Sequence, residues 1–438
     1  MNGQKSDIRE NNSMIPILRY CAIGLLVLVM AQDGFAETGA DLVPDRRKIQ
    51  FSTDRGYYVF PMPYSIPGVG EGLGVTAIGM NLGGTYTDVF GFALAGSLPG
   101  WGVGVSDVHL IPRTLILDLT SFQFGKSTIT SYQQRGMQSG KHDFSYLQFE
   151  QYGFTGGRMT VTFADRRFEV YGGGYLIGSQ LDKVLDQNSN TILDVQGSPT
   201  WRTKVYGVGI RGDLTDDYYD PRRGVRLDAG RWWSPPAGNN DPDFYRMEYN
   251  ATAYFPLGKR STWLLNYFRS DAHVTRQGET DPSAIEQQQG LNCSDPALTP
   301  QERADCQDVV NNIVTANTYG TATGLGGTSR LRSYPEGRFT GAHMVFYGTE
   351  VRWTLTEEAH PFDIFIAKDI RTVLQVALFY EMGSVADNRL DLGDLYRASY
   401  GAGFRMVTAS GIVLRADVAT GREGIETTIL FGYPWESF

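Results

Sequence analysis

Alternation of apolar and polar positions at a period of two runs through this chain from Glu71 to its end. In Arg246 to Leu257, Met247, Tyr249, Ala251, Ala253 and Phe255 fall on one face, and Glu248, Asn250, Thr252 and Tyr254 on the other. In Gly411 to Gly421, Ile412, Leu414, Ala416 and Val418 alternate with Val413, Arg415, Asp417 and Ala419. Thr203 to Leu214 and Gly224 to Trp233 repeat the pattern less cleanly, diluted by glycine. Successive side chains of a strand point to opposite faces, so this period marks a two-faced sheet. No segment beyond Glu71 carries a convincing 3.6-residue period. Strands are predicted over 71–81, 85–96, 101–110, 114–124, 127–135, 143–152, 157–179 (as one or two), 201–213, 223–233, 244–256, 260–274, 341–356, 370–386, 397–409, 411–420 and 424–435. That makes about sixteen, an even number of the kind bacterial barrels favour. Most connections are short, but Arg276 to Thr340 is a loop of about 65 residues, a length that marks a functional or disordered segment.

Two architectures give a two-faced sheet: a soluble sandwich with its apolar face inward, and a membrane barrel with its apolar face outward. The first apolar run helps to choose. Tyr20 to Met30 follows Arg19 and precedes small residues at Gly34 and Ala36, which is the layout of a secretory signal cut after Ala36 and too short to span a bilayer. The chain then divides into a signal peptide (1–36), a short periplasmic segment (37–55) and a barrel (56–438). The 438 residues include 52 glycines, 24 tyrosines, 23 phenylalanines and 7 tryptophans. Tyr57, Tyr58, Phe60, Tyr64, Trp101, Trp201, Tyr218, Tyr219, Trp232, Trp233, Trp263, Phe431, Tyr433 and Trp435 lie near segment ends, as interfacial girdles do. Only a closed barrel lets strands cross lipid, because every backbone group must find a partner. The fold class expected is therefore all-β: a transmembrane antiparallel barrel in the bacterial outer membrane, in contact with its lipids, and monomeric.

Charge and chemistry narrow the function. The net charge is −9, and removing residues 1–36 takes away as many acids as bases, so nucleic acid is not an expected partner. Outside the cytoplasm Cys293 and Cys306 are expected to form a disulfide within the long loop. The five histidines are scattered, and no nucleophile elbow, phosphate loop or zinc motif is present, so neither an enzyme, a metal nor a cofactor is expected. Ser270 with His273 is the pair an outer-membrane lipase would use, and chance spacing explains it as well. Asp186 to Asp194 has calcium-like acidic spacing but lacks the glycine and terminal glutamate of an EF-hand, and reads as a polar hairpin tip.

One stretch of the long loop stands apart: Gly324 to Gly341 holds Arg330, Arg332 and Arg338 among glycines and aromatics. Gly326-Gly327 followed by Leu331-Arg332-Ser333-Tyr334 resembles the sixth extracellular loop of the BamA/TamA-like assembly barrels, the bacterial surface antigen superfamily. Their motif reads Val-Arg-Gly-Phe/Tyr after a Gly-Gly pair, and here Ser333 stands in for the motif glycine. Further matches follow in order. Asp216 to Gly230 resembles a periplasmic turn between mid-barrel strands, and Gly341 to Trp353 supplies Glu350 where that family has an acidic lumen residue. Phe379 to Val385 carries Glu381 where the family has aspartate. Thr427 to Trp435, with Phe431, Gly432, Trp435 and Phe438, resembles a C-terminal insertion signal. The resemblance spans 56–438. It implies a loop folded into the lumen, with Arg332 reaching Glu350 and Glu381. It also implies a role in insertion or translocation of proteins or lipids, with an unknown client and the β-barrel assembly machinery as partners. Members that handle clients carry POTRA domains before the barrel, and the stretch between Ala36 and Gly56 holds none, so the chain reads as a POTRA-less member. The alternative is a passive porin-like channel for small solutes. A glycine-rich first strand, Gly72 to Asn81, and Pro434 in the last would suit a weak seam that templates incoming strands, to be probed with cysteines at Ala77 and Ile429.

Overall fold

The computed structural model describes residues 50–436 apart from 133, 195–199, 290, 357–360, 365–366 and 409–411. The signal peptide, most of segment 37–55 and Phe438 lie outside the described residues. The strands are β1 (Gly56–Ile66), β2 (Gly70–Met80), β3 (Asp88–Gly96), β4 (Gly100–Ile111), β5 (Leu115–Phe124), β6 (Ser127–Tyr132), β7 (Phe144–Phe163), β8 (Phe168–Leu185), β9 (Thr191–Asp194) and β10 (Trp201–Asp213). They continue with β11 (Gly224–Trp233), β12 (Asp243–Leu257), β13 (Ser261–Arg276), β14 (His343–Thr354), β15 (Pro361–Ile364), β16 (Ala367–Ala386), β17 (Arg397–Thr408), β18 (Val413–Gly421) and β19 (Gly424–Phe431). Helices α1 (Pro282–Gln289) and α2 (Pro300–Tyr319) lie between β13 and β14.

The strands form one antiparallel sheet. Three short strands prolong their neighbours. β6 carries on along β7 where β5 stops, β9 extends the far end of β8, and β15 lies beside the start of β16 before β14 takes over. Setting these aside leaves a closed barrel of sixteen strands. Side-chain alternation follows the expected faces. On β12 Asn250, Thr252 and Tyr254 are buried while Tyr249 is exposed, and on β18 Arg415, Asp417 and Ala419 are buried while Val418 is exposed. Apolar residues outward and polar residues inward is the arrangement of a membrane barrel.

The two ends differ. Turns at 112–114, 164–167 and 258–260 are short, whereas 133–143, 234–242, 277–342 and 387–396 at the opposite end are long. Short turns mark the periplasmic end of a barrel and long loops the outer end. Residues 50–55 dock on the short-turn end: Phe51 is buried edge-on to His109 at 5.3 Å, and Asn81 Nδ2 donates to the Thr53 carbonyl at 2.7 Å.

Several expectations need correction. The first strand is Gly56–Ile66, ahead of the predicted start at 71, because Pro61 and Pro63 obscure its alternation. The predicted 143–152 and 157–179 are two long strands, β7 and β8, turning at 164–167, where Ala164, Asp165 and Arg166 take positive φ without any glycine to announce it. The long loop is not structureless: it holds α1 and α2, whose polar surfaces leave little apolar periodicity and whose small core gathers Ile285, Cys293 and Val310 around the Cys293–Cys306 disulfide. Of the proposed girdle aromatics, Tyr58, Tyr64, Tyr433 and Trp435 are buried instead.

Candidate functional site

After α2 the chain turns at Gly320, with φ 74°, and runs back inside the barrel. A short ladder forms there: Ala322 N–H donates to the Gly341 carbonyl, and Leu325 and Phe339 exchange hydrogen bonds of 2.8 and 2.9 Å. Gly326 and Gly327 have φ of 105° and 103°, and a Cβ on Gly326 would lie 2.3 Å from the Pro335 oxygen, so the close backbone approach needs glycine. The tight bend falls on Leu331, with φ 54°, and not on Ser333, whose backbone N–H donates to Ser399 Oγ at 3.0 Å. Leu325, Leu331, Tyr334 and Phe339 pack on the inward faces of the barrel against Leu264, Phe268, Met344 and Phe346. Each such fully buried side chain contributes about 1.5–3 kcal/mol.

This apolar seat positions Arg332, which is completely buried. Its Nε donates to Glu381 Oε1 at 2.8 Å and its backbone N–H to Glu381 Oε2 at 2.9 Å. Nη2 reaches Glu350 Oε2 at 3.2 Å and Nη1 reaches Asp417 Oδ2 at 2.9 Å. The guanidinium also lies 3.4 Å over the Phe379 ring. Alternation on β14, β16 and β18 turns the three acids inward, and the structure brings both acids named from the sequence to Arg332. Asp417 was missed, together with Arg405, which bonds Glu350 and Asp417, and Arg415, which bonds Asp417. Arg352 bonds Glu350 at 2.6 Å. The signal was present in the Leu-Arg-Ala-Asp run of β18, where two charges share a face with Val413 and Ala419. Space for the cluster comes from Gly403, where a Cβ would lie 1.9 Å from Asp417 Oδ1. Such charges in a site shielded from water stand only when each has its partner.

The other two loop arginines do different work. Arg338 holds Glu423 with two bonds of 2.9 Å and donates to Ser139 Oγ and its carbonyl. Arg330 stacks 3.5 Å over Phe268; its Nε and Nη2 have no hydrogen-bond partner among the described residues, and burial pushes its guanidinium down to about 10. Nearby, burial raises the Glu336 carboxyl above its usual range.

The C-terminal run departs from its predicted form. β19 stops at Phe431, and after Gly432, with φ 94°, the chain turns into the lumen. Trp435 Nε1 donates to Glu381 Oε1 at 2.8 Å, the same oxygen that accepts from Arg332, and its carbonyl accepts from Asn250 Nδ2. Tyr433 donates to Asp220 Oδ1 at 2.8 Å. A Cβ on Gly348 would lie 2.6 Å from the Trp435 ring, so that glycine makes the berth. Pro434 therefore lies beyond the last strand, not within it.

The seam between first and last strands is slight. β1 pairs with β2 along its whole length, from Gly56↔Met80 to Ile66↔Gly70, but with β19 only at Ser65↔Ile429, helped by a bond from Ser65 Oγ to the Thr427 carbonyl; at its periplasmic start Tyr57 and Tyr58 pair instead with Lys368 and Ala367 of β16. Ala77 is not at this seam; it pairs with Val59 and Gly91. At the outer end the β6–β7 loop spans towards the last strands. Arg135 bonds Asp387 and the Gly320 carbonyl, the Met137 carbonyl accepts from Arg397, Ser139 from Arg338, and Lys141 Nζ donates to the Glu423 carbonyl.

The remaining sequence candidates fall apart. Ser270 is buried and bonded to Thr323, while His273, three residues on, faces the opposite side of β13, so they form no catalytic pair. Asp186 accepts from the Asn188 and Asn190 backbone N–H groups, closing its own hairpin.

A family model described as the Omp85 superfamily domain matches residues 117–288. No characterised protein sequence matches the chain. Among solved structures, BamA from Haemophilus ducreyi lacking POTRA domains 1–3 is similar at 12% identity, with 86% of this chain and 69% of that one covered and a TM-score of 0.45. CdiB from Escherichia coli is similar at 13% identity, covering 87% and 62%, with a TM-score of 0.48. CdiB from Acinetobacter baumannii follows at 11%, 86% and 59%, with a TM-score of 0.45. The chain spans less than two thirds of either CdiB structure.

Proposed function

We propose that this chain, an Omp85-family outer-membrane β-barrel, inserts polypeptides into the outer membrane or passes them across it through a barrel that rests closed. The observation that carries the reading is the seam. One registered pair joins β1 to β19, where every other barrel junction has an extended ladder; β1 is also held at Tyr57 and Tyr58 by β16, which leaves its stretch from Val59 to Tyr64 and most of the β19 edge without a registered ladder partner among the described residues. An edge of that kind pairs readily with an incoming strand. The resting closure is assigned to the loop bearing Arg332, which acts as a plug seated on an apolar core and fastened to Glu350, Glu381 and Asp417.

A passive porin fits these residues less well, because the loop's Leu331, Tyr334 and Phe339 are all buried against barrel residues, which fills the lumen at that level with packed side chains rather than leaving an open constriction. Planar-bilayer recording separates the two readings. A plugged barrel gives brief, irregular openings, and a steady large conductance from the intact chain would overturn the plugged reading. Insertion is tested by locking the seam with Ser65→Cys and Ile429→Cys. The oxidised protein is expected to lose assembly activity towards barrel substrates in proteoliposomes, with recovery on reduction.

A further inference from the structure

Outward positions on β11, β13 and β14 turn from apolar to polar around the row that joins Arg231, Met247, Asp271 and His343. On β13, Trp263, Leu265 and Tyr267 are followed outward by Arg269, Asp271 and His273. On β14 the series Trp353, Val351, Tyr347 ends in His343, and on β11 Val225 and Leu227 lead to Arg231, while β12 stays aromatic or apolar through Tyr249, Met247 and Tyr245. Apolar side chains below and polar ones above, at the long-loop end, place this ring at the headgroups of the outer leaflet.

The polar residues form a built surface, not a scatter. The Arg231 guanidinium lies 3.9 Å over the Tyr245 ring, and Tyr245 stacks on His273 at 5.1 Å with the planes 20° apart. Arg269 donates bonds of 2.8 and 2.6 Å to Asp271, whose Oδ1 sits 2.6 Å from His343 Nδ1. Register joins the two halves, since Tyr245 pairs with His273 and Asp271 with His343. Above them opens a cavity of about 410 Å³ lined by Tyr245, His273, Thr275, Thr318, Tyr319 and His343. Tyr319, the last residue of α2, roofs it and is 48% exposed.

We infer that this cavity holds the phosphorylated sugar headgroup of an outer-leaflet glycolipid. The exposed Tyr319 ring offers a flat apolar face for a pyranose, and the threonine hydroxyls and imidazoles supply short-range hydrogen bonds. Arg231, carried on the Tyr245 ring at the cavity wall, supplies positive charge for the phosphate, while Arg269 is already held by Asp271 and fixes that carboxylate and His343 in place. The apolar band directly below accommodates acyl chains, which is why a membrane-anchored sugar phosphate fits and a free one lacks half its contacts. The inference rests on the outer-membrane location and is independent of any translocation activity.

The test uses the full chain in phosphatidylcholine nanodiscs doped with a bisphosphorylated glucosamine-disaccharide glycolipid, with bound lipid read by native mass spectrometry. The wild type is expected to retain the glycolipid, and Tyr319→Ala and Arg231→Gln to lower retention by on the order of tenfold each. Heat-modifiable mobility on gels checks that both variants are folded. Three measurements on the wild type need no variant. Equal retention of phosphatidylglycerol would reduce the site to a generic anionic surface, and equal retention of the dephosphorylated glycolipid would remove the role of Arg231. Displacement by glucosamine 1-phosphate at the glycolipid's own concentration would assign the cavity to a soluble sugar phosphate. Any of these, or wild-type retention by both variants, overturns the inference.

Discussion

Replacing Arg332 with alanine removes one cation from a buried cluster and leaves its acids unequally served. Glu350 keeps Arg352 and Arg405, and Asp417 keeps Arg405 and Arg415. Glu381 keeps no salt-bridge partner among the described residues; its Oε1 is left with Trp435 Nε1, and the Arg332 backbone N–H stays only if the loop stays. Stranding a buried carboxylate in this way costs about 3–5 kcal/mol, which lowers the docked-to-undocked ratio of the loop by roughly two to three and a half orders of magnitude. The apolar seat is untouched, so the barrel still folds and the penalty falls on docking. The expected phenotype is a barrel with wild-type heat-modifiable mobility, rapid protease cleavage between Gly320 and Gly341, and frequent large openings in planar bilayers. The double variant Arg332→Met with Glu381→Gln removes the stranded charge and is expected to recover much of the protection, whereas Arg332→Lys, lacking the planar fork, recovers little. If Arg332→Ala shows unchanged protease protection and unchanged conductance, the anchoring role fails and the apolar contacts alone seat the loop.

Three further outcomes follow from other residues. Gly348→Val drives a side chain into the Trp435 ring and is expected to expel the C-terminal tail, read as a red shift of Trp435 emission against a background in which the other tryptophans are replaced by phenylalanine; unchanged emission would show that the berth can relax. Cys293→Ser with Cys306→Ser loosens the α1–α2 unit by about 3 kcal/mol, appropriate to a cross-link across 13 positions, so limited proteolysis is expected to nick 277–320 while the barrel keeps its urea midpoint. Cysteines at Ser65 and Ile429 are expected to bridge on mild oxidation, whereas Ala77 with Ile429 is expected not to, because Ala77 sits on the second strand; efficient bridging of the latter pair would mean the seam lies elsewhere.

The barrel was legible because lipid imposes one rule on every strand, so β12 and β18 display their faces in the sequence itself. β1 was lost because prolines at 61 and 63 break the pattern, although the strand pairs with β2 along its whole length. Arg332, Glu350 and Glu381 could be named from the loop motif and from acids at inward positions. Asp417 could have been named on the same grounds, since it shares a face with Arg415. The inward turn of Tyr433 to Trp435 had no local signal: the same aromatic run serves a lipid-facing strand end or a lumen anchor, and Gly348, 85 residues before Tyr433, decides which. The two helices escaped because a disulfide and a handful of apolar residues stabilise a unit too small to need an amphipathic stripe.

The β6–β7 loop gives the slight seam a direction of failure. Its bonds through Arg135, Met137, Ser139 and Lys141 cross to the outer ends of the late strands and to the loop bearing Arg338, so force that spreads β1 from β19 meets a set of side-chain ties at the cell surface, against two backbone pairs between β1 and β16 at the periplasm. A wedge entering from below has only those two pairs to part before the wall opens like a tent flap pinned at the ridge, and the surface would stay sealed until the pins were drawn.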